Sequence, residues 1–123
     1  MIIDHIGLAV SDYENSKEFF CKALAPLGIE LVIEIQGWAG LGKNGKPEFW
    51  FGTHSKFQNP MHIAFVADTR AQVRKFYEEA LKAGAKDNGA PGIREIYHPH
   101  YYGAFVIGPD GHNIEAVCHQ QET

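Results

Sequence analysis

The chain repeats itself, and the repeat limits its possible folds more than any other feature does. Shifted by 57 positions, His5 lands on His62, Ile6 on Ile63, Gly7 on Ala64 and Leu8 on Phe65. Farther along, Phe19 meets Phe76, Phe20 meets Tyr77, Ala23 meets Ala80 and Leu24 meets Leu81. One residue of slippage brings Gly28 onto Gly84. The turn around Asn44-Gly45-Lys46-Pro47 matches Pro109-Asp110-Gly111, which sets Trp50 opposite Glu115. Each half reads as strand, helix and about three strands. The expected fold is α+β: two βαβββ units, roughly 1–57 and 58–123, in one domain. They would form a curved, partly open mixed sheet with the helices outside.

The local signals agree. Residues 2–10 alternate as a strand, with Ile6, Leu8 and Val10 on one face and His5, Gly7 and Ala9 on the other. Ser11-Asp12-Tyr13-Glu14 fits a capping box opening a helix with Phe20, Ala23, Leu24 and Leu27 in one stripe. Pro26 and Gly28 close it. Residues 29–36 read as a strand, and 38–43 with 48–53 as a hairpin around Asn44-Gly45. A polar connector at 54–60 leads to a strand at 61–67. Asp68 or Thr69 then caps a second helix, which runs to Ala83. Residues 85–100, rich in Gly, Pro and His, give no clear pattern beyond a short strand around 94–97. Residues 101–107 and 113–119 form a hairpin across Gly108-Pro109-Asp110-Gly111, and a polar tail follows.

With 123 residues the chain predicts one domain. Its net charge of −4 and lack of a Lys/Arg cluster argue against nucleic acid or a membrane surface as partner. No long apolar run appears, and no signal peptide is expected. Cys21 and Cys118 lack metal-type spacing; free thiols in a reducing cytoplasm are the simplest reading, with one disulfide left open.

The last strand places Asn113, Glu115 and Val117 on one face. A carboxylate there needs a cation or hydrogen-bond donors. The repeat offers His5 and His62, and two imidazoles with one carboxylate suit a divalent metal with open positions for substrate. His98-Pro99-His100 reads as a loop whose histidines contact solvent or substrate, less readily as a second metal pair or proton shuttle. His112, in the turn, is expected to be exposed. Trp50 and Phe105 fit a cavity wall, as does Tyr101. Arg94 and Glu95 are either a surface ion pair or orient a polar substrate. Gly40-Leu41-Gly42-Lys43-Asn44-Gly45 matches a dinucleotide fingerprint but precedes a strand, not a helix, and is rejected. Cys21 lies on a helix without an evident base, which argues against a catalytic thiol.

The stretches Asp4-His5-Ile6-Gly7-Leu8-Ala9-Val10, Met61-His62-Ile63-Ala64-Phe65 and Pro109-Asp110-Gly111-His112-Asn113-Ile114-Glu115 resemble the vicinal oxygen chelate superfamily. This is the group of glyoxalase I, bleomycin-resistance proteins and extradiol dioxygenases. The resemblance implies His5, His62 and Glu115 as ligands of one divalent metal (Fe, Mn, Ni or Zn) that chelates adjacent substrate oxygens. Glyoxalase I enzymes usually add a fourth ligand where this chain has Trp50. Three-ligand sites are instead those of the ring-cleaving dioxygenases and fosfomycin-modifying enzymes. A tyrosine common ten residues before the glutamate is replaced by Phe105; Tyr101 shares its strand parity if the strand is regular that far.

The expected function is a metal-dependent lyase, isomerase or ring-cleaving dioxygenase acting on a small molecule, as a homodimer. Glu115 would double as a base only if it left the metal. Trp50, His98, His100, Tyr101 and Phe105 would contact substrate. The alternative is a metal-free drug- or small-molecule-binding protein of the bleomycin-resistance kind.

Overall fold

The computed structural model describes residues 3–53 and 60–122. The connector expected at 54–60 therefore lies, apart from Pro60, outside the described residues. The first unit holds β1 (Ile6–Ala9), α1 (Tyr13–Leu24), β2 (Glu30–Ile35), β3 (Trp38–Lys43) and β4 (Lys46–Gly52). The second holds β5 (His62–Val66), α2 (Arg70–Lys82), β6 (Lys86–Ile93), β7 (Tyr102–Ile107) and β8 (Asn113–Cys118). Each unit forms a four-stranded mixed sheet, ordered β1-β4-β3-β2 in the first and β5-β8-β7-β6 in the second. The expected α+β class and the two βαβββ units are both present. Among the described residues no helix is long and apolar enough to cross a membrane.

The registers confirm the internal repeat. Gly7 pairs with Trp50 on the parallel β1–β4 edge, as Ala64 pairs with Glu115 on β5–β8. Trp50 is thus the positional counterpart of Glu115. Next along, Gly40 faces Trp50 as Phe105 faces Glu115. The hairpin between β3 and β4 turns through Asn44 and Gly45, both at positive φ (54° and 76°), the conformation this dipeptide favours.

Local chemistry sets the helix ends. Asp12, one residue later than expected, caps α1 by accepting from the Asn15 amide at 3.0 Å. The Ser11 amide is used elsewhere, donating to Asp110 Oδ2 at 3.1 Å across the two units. Thr69 and Gln72 form a reciprocal capping box on α2. Gly28 closes the first helical segment in the left-handed region (φ 81°).

The apolar faces of both sheets and both helices share one core. Leu8, Phe20 and Phe51 from the first unit join Val73, Phe76 and Ile114 from the second. Phe49 and Phe65 meet edge to face across the boundary, centroids 5.2 Å apart.

Two expectations need correction. Residues 94–97 are a turn, and the strand lies earlier, as β6. Gly89, Pro91 and Gly92 disguise it. The register shifts around both glycines, and an edge strand tolerates the missing proline donor. His112 is fully buried rather than exposed. Its Nδ1 accepts from the Met61 amide at 2.9 Å, so Nε2 carries the proton and donates to the Ala9 carbonyl oxygen at 3.3 Å. The ring thus ties the end of β1 to the start of β5.

Candidate functional site

One face of each sheet packs on the helices; the other, the open face, is turned away from them and only partly covered. Strand alternation puts His62, Ala64 and Val66 of β5 on the open face with Asn113, Glu115 and Val117 of β8. Phe105 and Gly103 of β7 continue it, opposite Glu115 and Val117. Despite that position, Glu115 is only 1% exposed.

Two groups hold the carboxylate. His62 Nε2 lies 2.9 Å from Glu115 Oε1, and the Tyr101 hydroxyl donates to Oε2. Among the described residues these are its side-chain partners. A Cβ on Gly103 would stand 3.1 Å from the Tyr101 ring and 3.2 Å from Glu115 Oε2, so only glycine admits this pairing undisturbed. The imidazole of His62, in contrast, is half exposed and its ring is 6.1 Å from that of Phe105. A buried carboxylate therefore meets solvent space through one accessible histidine.

Tyr101 reaches Glu115 because residues 94–101 fold back on themselves. The Arg94 amide donates to the Tyr101 carbonyl oxygen at 2.7 Å, and the Arg94 carbonyl oxygen accepts from the Tyr97 amide at 3.0 Å. His119 stacks edge-on against Tyr101, centroids 5.3 Å apart. The sequence reading missed His119, although it shares strand parity with Glu115 and Val117. His98 and His100 stand beside this cluster. The His98 ring is 5.6 Å from His100 and 6.0 Å from His119, and His98 Nδ1 accepts from the His100 amide. Neither bonds Glu115.

His5 belongs to the open face of the first sheet, where its Nδ1 lies 2.7 Å from Asp4 Oδ1. His5 and His62 line one cleft of about 390 Å³ together with Ile6, Phe49 and Phe65. The chain nonetheless does not bring His5 to the His62–Glu115 pair. Among the described residues no three His, Cys, Asp or Glu side chains lie close enough to hold a metal ion. The residues suit a divalent metal only in part. An imidazole nitrogen and a buried carboxylate converge beside open space, a donor pair fitting Fe, Mn, Ni or Zn, but a third donor must come from elsewhere.

Trp50 supplies no ligand. Its indole packs against Gly40, where a Cβ would approach it to 3.0 Å, and Trp38 packs against Gly52, where a Cβ would approach it to 2.8 Å. The first sheet thus presents an aromatic surface where the second presents a carboxylate. Cys21 and Cys118 are both free, and burial pushes the Cys21 thiol up, away from a nucleophile's range.

Burial, and then the hydrogen bond to Glu115, push the Tyr101 phenol well above its ordinary value. Burial and a bond to Glu34 likewise push Tyr13 up to about 12. Both tyrosines hold their protons more tightly in the folded chain than in the unfolded one. Their contribution to stability is complete below about pH 10 and is lost as pH rises through the folded values. Urea midpoints should therefore fall from about pH 10 to pH 12. Tyr101→Phe should flatten part of that fall; an unchanged slope would contradict the Tyr101–Glu115 bond.

Solved structures with this fold are numerous. A glyoxalase/bleomycin resistance protein from Albidiferax ferrireducens superposes with a TM-score of 0.86 at 22% identity, over 96% of this chain and 99% of that one. A glyoxalase/bleomycin resistance protein/dioxygenase family enzyme from Burkholderia phytofirmans gives 0.72 at 18%, over 95% and 98%. A glyoxalase-related enzyme from Fulvimarina pelagi gives 0.70 at 18%, over 94% and 86%. Identities this low speak for the fold alone. No curated protein matches the sequence. The Glyoxalase/Bleomycin resistance protein/Dioxygenase superfamily model matches residues 2–116, nearly the whole chain. With two βαβββ units in sequence and structure and a family match of that extent, the chain belongs to the glyoxalase/bleomycin resistance protein/dioxygenase superfamily.

Proposed function

We propose that this protein is a divalent-metal-dependent enzyme that chelates a small substrate through two neighbouring oxygens. The observation that carries the proposal is Glu115. It is a nearly fully buried carboxylate on the sheet face turned away from the helices, and among the described residues the side chains that meet it are an imidazole and a phenol. A buried carboxylate is costly without compensation, and a cation beside His62 would provide it.

His62 and Glu115 would hold the metal, with His5 of a second copy as third donor. Exposed Val66 and Met61 on and beside β5, an edge strand with no strand on its outer side among the described residues, favour coverage by that copy. When bound, the metal supplies Lewis acidity to the substrate's oxygens. The chain's own residues do the rest. Tyr101 fixes the rotamer of Glu115 and keeps its own proton, so its hydroxyl remains a donor at neutral pH. Phe105 walls the site beside His62, and His98 and His100 stand at its rim. Two free thiols suit a reducing, cytoplasmic setting.

A second reading, a metal-free small-molecule-binding protein, draws on the flat indoles of Trp38 and Trp50. Mixed protomers address the site's composition. His5→Ala and Glu115→Ala chains should each fail to bind metal alone, and co-refolding them should restore part of the wild-type metal content. If wild type binds metal and the mixture recovers none, all three donors lie in one chain and the shared site is wrong.

A further inference from the structure

Among the described residues Arg94 is a cation without an anion. Among the described residues no carboxylate pairs with it, including its neighbour Glu95 and Asp87 on β6, in a chain whose 15 acidic residues outnumber 11 basic ones. Its guanidinium is nevertheless held in place. One terminal nitrogen donates to the Ala90 carbonyl oxygen at 2.8 Å, and the central carbon lies 5.4 Å from the Phe105 ring centroid. The group lies across Gly89 and Gly92, where added Cβ atoms would stand 3.1 and 3.0 Å from its nitrogens. Side chains there would push it aside by a few tenths of an ångström.

Its position matters as much as its charge. Gly89 faces Phe105, and Phe105 faces Glu115, across adjacent strands of one open face. The guanidinium therefore lies about two strand spacings, roughly 10 Å, from the His62–Glu115 pair, with the Phe105 ring between. Of five guanidinium donors one is used on Ala90, which leaves a fork free for a carboxylate.

We propose that Arg94 anchors the substrate's carboxylate. The substrate class is a small acid with adjacent oxygens at one end, a flat or apolar body over Phe105, and a carboxylate at the other end. This rests on the reading of His62–Glu115 as the chelating end. It goes further in naming Arg94 as the residue that selects acids over neutral analogues.

The test compares dihydrocaffeate, a catechol with a propionate arm, with its primary amide by calorimetry. Each is titrated into manganese-loaded and into metal-free protein. Wild type should bind the acid about tenfold to a hundredfold more tightly than the amide. Arg94→Gln should remove that preference while leaving amide affinity and manganese content unchanged. Arg94→Lys, which keeps the charge but not the fork, should restore part of it. Equal binding of acid and amide by wild type, a preference that survives Arg94→Gln, or no preference at millimolar concentrations would overturn the inference. If manganese does not bind but the metal-free protein shows an Arg94-dependent preference, the metal reading falls and the carboxylate anchor stands.

Discussion

Glu115→Gln is expected to lower divalent-metal affinity by about a hundredfold or more while leaving the metal-free protein as stable as wild type, within about 1 kcal/mol. Losing a supporting residue around a metal ligand typically costs ten- to a hundredfold, and losing the ligand's charge should cost at least as much. The amide keeps the shape of the side chain and an oxygen to accept from Tyr101, so the fold has little reason to suffer. Thermal shift measurement separates the two effects. Metal at about a hundred times its dissociation constant should stabilise wild type by about 2.7 kcal/mol, and Glu115→Gln should show no such shift. A variant that unfolds early without metal, or that still gains stability with it, would mean that Glu115 serves the core instead.

Removing the ring of His112 should have the largest effect on stability. It is fully buried and satisfies the Met61 amide and the Ala9 carbonyl oxygen, one on each side of the boundary between units. His112→Ala deletes both hydrogen bonds, at about 1–3 kcal/mol, and adds the cost of a cavity. A loss of about 3–4 kcal/mol is a large share of a small domain's stability. The melting temperature should drop by about 10 °C or more. A drop of only a degree or two would show that water replaces the ring without penalty. His112→Phe fills the space but not the hydrogen bonds, so it should recover only the cavity part of the loss.

These two residues also mark how far the sequence could be read. Glu115 was legible because strand parity set it beside Val117 and the repeat paired it with Trp50, a match the β1–β4 and β5–β8 registers bear out. His112 was not. Turn residues are solvated by default, and only contact between the units buries this one. Strand β6 was hidden for a local reason: Gly89, Pro91 and Gly92 interrupt its alternation, and its pairing supplies what the pattern lacks. Tyr101 lies one residue before β7, so strand parity did not decide its place, and its bond to Glu115 depends on the turn at 94–101. His5 shows the limit of repeat analysis. Repetition assigns it a place within its unit, equivalent to that of His62. How one unit faces another, within a chain or between chains, depends on surfaces that the repeat does not describe.

The central claim is that His62 and Glu115 belong to a metal site. Its most direct test is the metal-to-chain ratio of purified, divalent-ion-loaded protein, measured by elemental analysis beside the His62→Ala variant. One tightly held ion per wild-type chain is expected, and its loss in the variant. Wild-type protein without stoichiometric metal, binding small molecules as well as His62→Ala does, would contradict it and favour a metal-free binding protein.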